Sequence, residues 1–301
     1  MKLDTLDISV LKALDLFAKD RPKKLTVAKD SWPLVIGSGN AYNTGLIIFA
    51  GQPAIFANES NLKKTIKGFS PLIKKGLVGQ AVIISASGEK DSVWETKLCQ
   101  KSGLRTILVT CSLDSSAAQI ADKTIVFRKL PEPYTYNVST YLGMIMGADG
   151  SRAENTKKWL KSIKLPRNLH RYQAYSFILP DQFENICPML DIKRNELFGN
   201  HLSVRAFSHG QARHAKFVHP DKNELVISLG KNKLFGLNRW EISLPSKLTS
   251  SAVMSITYYI IGLIQKNRTP WFMEHIEQYC LKSGPIAYEQ TKPFDVIVPG
   301  N

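Results

Sequence analysis

Apolar and polar positions follow two rhythms along the first half of the chain. Short, continuous apolar runs at 33–36, 53–57, 81–84, 105–110 and 123–127 carry many β-branched residues, the pattern of parallel strands covered on both faces. Between them the period lengthens to that of a helix: 91–101, for example, places Val93, Trp94, Lys97 and Leu98 at helical spacing. Ahead of the first run, residues 3–20 hold Leu3, Leu6, Val10, Leu14 and Phe17 at threes and fours, an amphipathic helix that stops before Pro22. Five strand–helix units in succession predict an α/β fold around a doubly wound parallel sheet. In the flavodoxin-like order 2-1-3-4-5 the winding reverses between the first and third strands, and ligands sit at the carboxyl ends of strands at such a point.

The second half repeats this rhythm less clearly. Residues 151–172 are charged, with a thin apolar stripe at Trp159, Leu160 and Ile163, and predict a linking helix. Strands follow near 175–179, 225–229 and 240–244, then a long helix at 249–265 and another at 271–282. An extended tail through Pro293 and Val298 is expected to pack across the other half or a second subunit. The organisation expected is a helical arm at 1–31, an α/β domain at 32–150, the link at 151–172 and a second, degenerate α/β domain at 173–301.

The first and third strands both end in small residues. Val82-Ile83-Ile84 runs into Ser85-Ala86-Ser87-Gly88-Glu89-Lys90, and Pro33-Leu34-Val35-Ile36 into Gly37-Ser38-Gly39-Asn40. Each turn opens a helix, where unpaired backbone N–H groups, serine hydroxyls and a glycine suit a phosphate. The same features also serve a simple helix cap. Neither turn has the third glycine of a dinucleotide fingerprint or the Gly-Lys-Ser/Thr ending of a nucleotide P-loop, so no cofactor is expected. In the second half the corresponding turn, Pro180-Asp181-Gln182, has no glycine and carries an acid, which disfavours phosphate there.

Composition narrows the classes. Of 301 residues 44% are hydrophobic and 22% charged, as in an ordinary globular protein, and no apolar run approaches the ~18 residues of a membrane span. Met1-Lys2-Leu3-Asp4 turns acidic too early for a secretory signal, so a cytoplasmic location is expected. Cys99, Cys111, Cys187 and Cys280 are scattered, arguing against a zinc ribbon or a disulfide framework. The net charge of +15 falls largely on lysines at helical spacing, with no nucleic-acid-binding motif beside them.

The turn Ser85-Ala86-Ser87-Gly88-Glu89, together with Gly39-Asn40-Ala41-Tyr42-Asn43-Thr44-Gly45, Asn58-Glu59-Ser60, the serine-containing stretch 110–122, Glu132 and Val138-Ser139-Thr140, resembles the sugar isomerase (SIS) domains. The resemblance spans residues 32–150. It implies two tandem flavodoxin-like SIS subdomains, the second degenerate, no cofactor or metal, a sugar phosphate as ligand and a homodimer. Phosphate or sugar contacts are expected from Gly39, Asn40, Ser85, Ser87, Lys90, Ser139 and Thr140. This chain departs from relatives at Ala41, where they have a hydroxyl, at Ala86 (glutamine) and at Lys90 (threonine), and has two extra residues between Glu132 and Ser139.

In the second half, Lys193-Arg194-Asn195-Glu196 is read as opening a helix in which Glu196, Gly199, Asn200 and Ser203 share a face. Four of the six histidines lie between His201 and His219. No metallopeptidase spacing accompanies them, and a metal site is not expected. The stretch Glu196 to His214, with Ala206-Phe207 and Gly210-Gln211-Ala212-Arg213-His214-Ala215, resembles the catalytic segment of SIS isomerases with a two-residue insertion. It implies Glu196 as base and His214 as ring opener, His209 being the rival. Carboxylate and imidazole suit aldose–ketose isomerisation, which needs a base beside the carbonyl and a proton shuttle. An amino-sugar-phosphate deaminase or deglycase is the nearest variant. A non-catalytic phosphosugar sensor, or an interaction protein on a recycled fold, are the other classes. Glutamine-dependent synthesis is not expected, since no cysteine amidase segment precedes the first domain.

Overall fold

A computed structural model describes residues 3–26, 31–215, 220–268 and 271–301. They group into two compact units, one from Met1–Asp20, Leu130–Ser139 and Ser151–Gly300, the other from Arg21–Lys129, Thr140–Gly150 and Asn301.

The second of these contains the expected five-stranded sheet. Strands β1 (Pro33–Ile36), β2 (Ile55–Ala57), β3 (Gln80–Ile84), β4 (Arg105–Thr110) and β5 (Lys123–Val126) are all parallel, in the order β2-β1-β3-β4-β5. Every residue of β1 and β3 is buried, which is why these runs are continuous rather than alternating. Helices α2 (Asn40–Ile48), α3 (Leu62–Lys74) and α4 (Asp91–Lys101) make the crossovers. Leu62 and Ile66 of α3 and Cys99 of α4 close over Leu34, Ile36, Ala57, Ile83 and Leu108 on one face of the sheet. Each such aliphatic side chain, fully buried, contributes roughly 1.5–3 kcal/mol.

The other unit is assembled from three stretches of chain. Helix α1 (Leu6–Lys19) buries Leu6, Val10, Ala13, Leu14 and Phe17, and packs on α9 (Ser250–Gln265). The short strand β6 (Glu132–Pro133) precedes α5 (Val138–Asp149), whose first two residues belong here; α6 (Ala153–Ser162) follows. A parallel sheet in the order β10-β9-β7-β8 joins β7 (Ala174–Leu179), β8 (Ser203–Ser208), β9 (Glu224–Leu229) and β10 (Asn238–Ile242). Counted within this unit the order is again 2-1-3-4, the winding of the first sheet without its fifth strand. Helices α7 (Cys187–Phe198) and α8 (His209–Ala215) flank β8, and α10 (Trp271–Gln278) leads through a π-helical turn into α11 (Gly284–Ala287). The tail forms β11 (Ile297–Val298), antiparallel to β6 within the same unit.

Two expectations for the second half need correction. Lys193 to Glu196 do not open a helix: α7 begins at Cys187 with Pro188 in its first turn, and Glu196 lies in its last turn. Nor do Glu196, Gly199, Asn200 and Ser203 share a helix face. Gly199 takes a left-handed φ of 57° and caps α7, and Ser203 is the first residue of β8. Among the described residues no helix is long and apolar enough to cross a membrane.

Candidate functional site

The turn between β3 and α4 is fastened to its neighbour on the sheet. Ser85 N–H donates to the Val109 carbonyl at 3.0 Å, Cys111 N–H to the Ala86 carbonyl at 3.0 Å and Ala117 N–H to the Gly88 carbonyl at 2.9 Å. Gly88 has φ +66°, and a Cβ there would stand 2.1 Å from the Ser115 hydroxyl oxygen, so the turn can pass this loop only as glycine. The Glu89 carboxylate accepts from Ser116 N–H at 2.8 Å. The sequence pattern hid these closing partners, because they lie about thirty residues further along the chain.

Within the turn, Ser85 Oγ accepts from Gly88 N–H at 3.1 Å and Ser87 Oγ from Glu89 N–H at 3.3 Å. Each hydroxyl has thereby used an acceptor position and keeps its own O–H for donation, which is what an anion requires. Lys90 caps α4 with φ 55° and ψ −121°, and Gly39 caps α2 with φ 54° and ψ −121°. The two turns thus share one backbone geometry, relaxed for glycine and strained for lysine. Partial burial lowers the Lys90 ammonium pKa, with the Asp91 charge opposing. Asn40, the first residue of α2, is 7% exposed, and its Oδ1 has no hydrogen-bond partner.

Ser139 and Thr140 are both buried. The Ser139 hydroxyl accepts from Leu130 N–H and donates to Glu132 Oε1, each at 2.9 Å, while Glu132 Oε2 accepts from Val138 N–H at 2.9 Å. An internal carboxylate therefore occupies the start of α5, and Ser139 is committed to it. Gly39, Asn40, Ser85, Ser87, Lys90 and Thr140 fall in the unit of the five-stranded sheet; Ser139, Glu196 and His214 fall in the other.

Glu196 is paired with a residue that the sequence reading treated as a solvated charge. The Lys193 side chain is wholly buried, and its ammonium donates to the Glu196 carboxylate and to the Thr135 carbonyl. It also stands 5.6 Å from the Tyr258 ring centroid. Thr135 holds a left-handed φ of 73°, which turns its carbonyl into this arrangement. Burial raises the Glu196 carboxyl above the usual range, and Lys193 partly offsets the rise. The i, i+3 spacing of Lys193 and Glu196 was the available signal, but such spacing describes exposed helix pairs equally well.

His214 is exposed in the last turn of α8. Its rival His209 begins that helix, its ring centroid 6.4 Å from that of Phe235; His219 lies outside the described residues. At the foot of α8 the Asp181 carboxylate accepts from Gly210 N–H at 2.6 Å, and this bond with one from Ser208 holds its pKa below the usual range. The second half carries its own carboxylate at this turn.

No protein-family profile and no curated protein sequence matches the chain. Solved structures do. Glucosamine-6-phosphate deaminase from Thermotoga maritima matches 86% of this chain and 91% of its own, at 16% identity and a TM-score of 0.55. Tagatose-6-phosphate ketose/aldose isomerase from Escherichia coli matches 87% and 89%, at 12% identity and 0.58. The C-terminal domain of glucosamine-fructose-6-phosphate aminotransferase from Francisella tularensis matches 88% and 94%, at 12% identity and 0.57. This chain shares the fold of these three structures. At these identities the likeness is one of fold. Within this fold, the two small-residue turns follow β1 and β3, the strands between which the winding reverses.

Proposed function

We propose that the chain binds a sugar phosphate, with the phosphate at the 85–90 turn, and isomerises it between aldose and ketose through an enediolate. The observation that carries the reading is Glu196: a carboxyl raised by burial, with Lys193 opposing the rise, and held in one position by Lys193, as a general base requires. Glu196 takes the proton from the carbon beside the carbonyl, the electron pair forms the enediolate, and the proton returns to the neighbouring carbon. His214 passes the ring-hydroxyl proton on opening. Ser85, Ser87 and Lys90 hold the phosphate, and Asn40, with its unpartnered oxygen, accepts a sugar hydroxyl. Binding energy from the non-reacting phosphate then holds the open chain for reaction. Homodimer assembly and a cytoplasmic location belong to the same reading.

A hexose 6-phosphate, and not the free hexose, should raise the melting temperature, and a Ser85→Ala/Ser87→Ala variant should lose the shift. In deuterated water the bound sugar should exchange the proton beside its carbonyl, and Glu196→Gln should stop exchange while binding persists. The commitment of Ser139 to Glu132, with Ala41 and Ala86 in place of polar residues, favours a second reading, a phosphosugar sensor. Binding without exchange in the unmodified protein would establish the sensor.

A further inference from the structure

On the helical face of the five-stranded sheet, a cavity of about 440 Å³ is lined by Glu59, Ser60, Lys63 and Trp94. Its floor is an indole whose N–H donates to Asp91 at 3.0 Å, which fixes the ring. The Lys63 ammonium already stands 5.9 Å from that ring's centroid, as a cation over an aromatic face. Next to Trp94 in the chain, Glu95 is 2% exposed, and its Oε1 has no hydrogen-bond partner.

We propose that this cavity binds a small organic ammonium ion, which displaces Lys63 from the Trp94 face and is drawn there by Glu59, Asp91 and Glu95. The signs of the local charges decide the class of ligand. Three carboxyl groups, Glu59, Asp91 and Glu95, are set against the ammonium groups of Lys63 and of the partly buried Lys90 beside Asp91, in a chain whose net charge is +15. The positive N-terminal ends of α3 and α4 lie beside Glu59 and Asp91, which offset them and leave Glu95 without a counter-charge. Lys63 is exposed and free to swing out, so a ligand cation gains the indole face without breaking a buried contact. Glu95 gives the site a pH dependence. Burial, with the charges of Asp91 and Glu59, pushes its carboxyl to about 7, and a cation nearby favours the ionised form. Besides Asp91 and Glu59, the titratable group coupled to it is the Cys99 thiol, one turn further along its own helix. This inference is independent of the phosphate reading at 85–90.

The test is a titration with n-butylammonium chloride, read from the indole N–H resonance of Trp94 and controlled with potassium chloride and sodium butyrate. The unmodified protein should saturate with butylammonium and ignore butyrate. Lys63→Ala removes a competing cation and should tighten binding about two- to fivefold, the worth of one exposed cation–π contact. An anionic or neutral ligand site would lose affinity in that variant. Affinity should rise with pH across neutrality, and Glu95→Gln should flatten the rise. No saturation, equal response to butyrate, unchanged or weaker binding by Lys63→Ala, or a pH profile that survives in Glu95→Gln would each overturn the proposal.

Discussion

The Lys193 ammonium rests on the Glu196 carboxylate within the last turns of α7, and the same ammonium bonds the Thr135 carbonyl from a distant part of the sequence. One buried cation therefore fixes both the carboxylate and the 130–139 loop. Lys193→Met should cost about 3 kcal/mol in denaturant unfolding, since it leaves a largely desolvated carboxylate unpaired. Lys193→Met/Glu196→Gln should cost clearly less than the sum of its single changes, the mark of a direct pair.

Glu95 makes stability depend on pH. Between the ordinary 4.5 and about 7 the folded chain holds a proton that the unfolded chain releases, so stability falls as pH rises through that window and then levels. Glu95→Gln should remove this slope. Above pH 7 it should exceed the unmodified protein by up to about 3 kcal/mol, and at pH 4 the two should coincide. Urea melts at a series of pH values measure this.

Gly88 is constrained twice, by φ +66° and by Ser115. Gly88→Ala should cost more than the roughly 1–2 kcal/mol of a left-handed alanine. Adding Ser115→Gly should recover the steric part and leave the backbone part. Thermal melts of the single and double variants separate the two.

Lys90 stands in the backbone geometry that its twin turn assigns to Gly39. Lys90→Gly should stabilise the chain by about 1 kcal/mol, while weakening hexose 6-phosphate binding and its dependence on salt. Greater stability with undiminished binding would remove Lys90 from the phosphate site.

Asp181 fills the foot of α8 with a carboxylate of depressed pKa. Its contribution is present above the ordinary 3.8 and is lost as pH falls through the depressed value. Asp181→Ala should lower the protection factor of the Gly210 amide at neutral pH, and acid should lower it likewise in the unmodified chain.

How far the sequence could be read depended on the range of the interactions. The first sheet and its order were legible, because β1, β3 and β4 are buried on both faces and their apolar runs show it directly. β8 was missed although its burial alternates, Val204, Ala206 and Ser208 inward and Ser203 and Arg205 outward. The expectation of a helix running past Gly199 obscured that period-two signal. The pairings of β6 with β11 and of Glu132 with Ser139 could not be foreseen, since two-residue strands and a buried carboxylate leave no periodic trace. The turn at 85–90 was recognisable from its serines and glycine; its closure by Ser115 and Ser116 depends on contacts across strands.

The three-stretch construction of the unit holding α1 bears on how the chain emerges from the ribosome. The five-stranded sheet draws all its strands from residues before 127 and can close early. Helix α1, made before its partners α6 and α9, cannot fully cover its Leu6, Val10, Leu14 and Phe17 face until α9 has been synthesised, on the order of ten to fifty seconds later at typical elongation rates. During that interval its apolar stripe is a target for chaperones and for other nascent chains. A ribosome-stalled chain ending before residue 250 should bind holdase chaperones through α1, and one extended past 265 should release them.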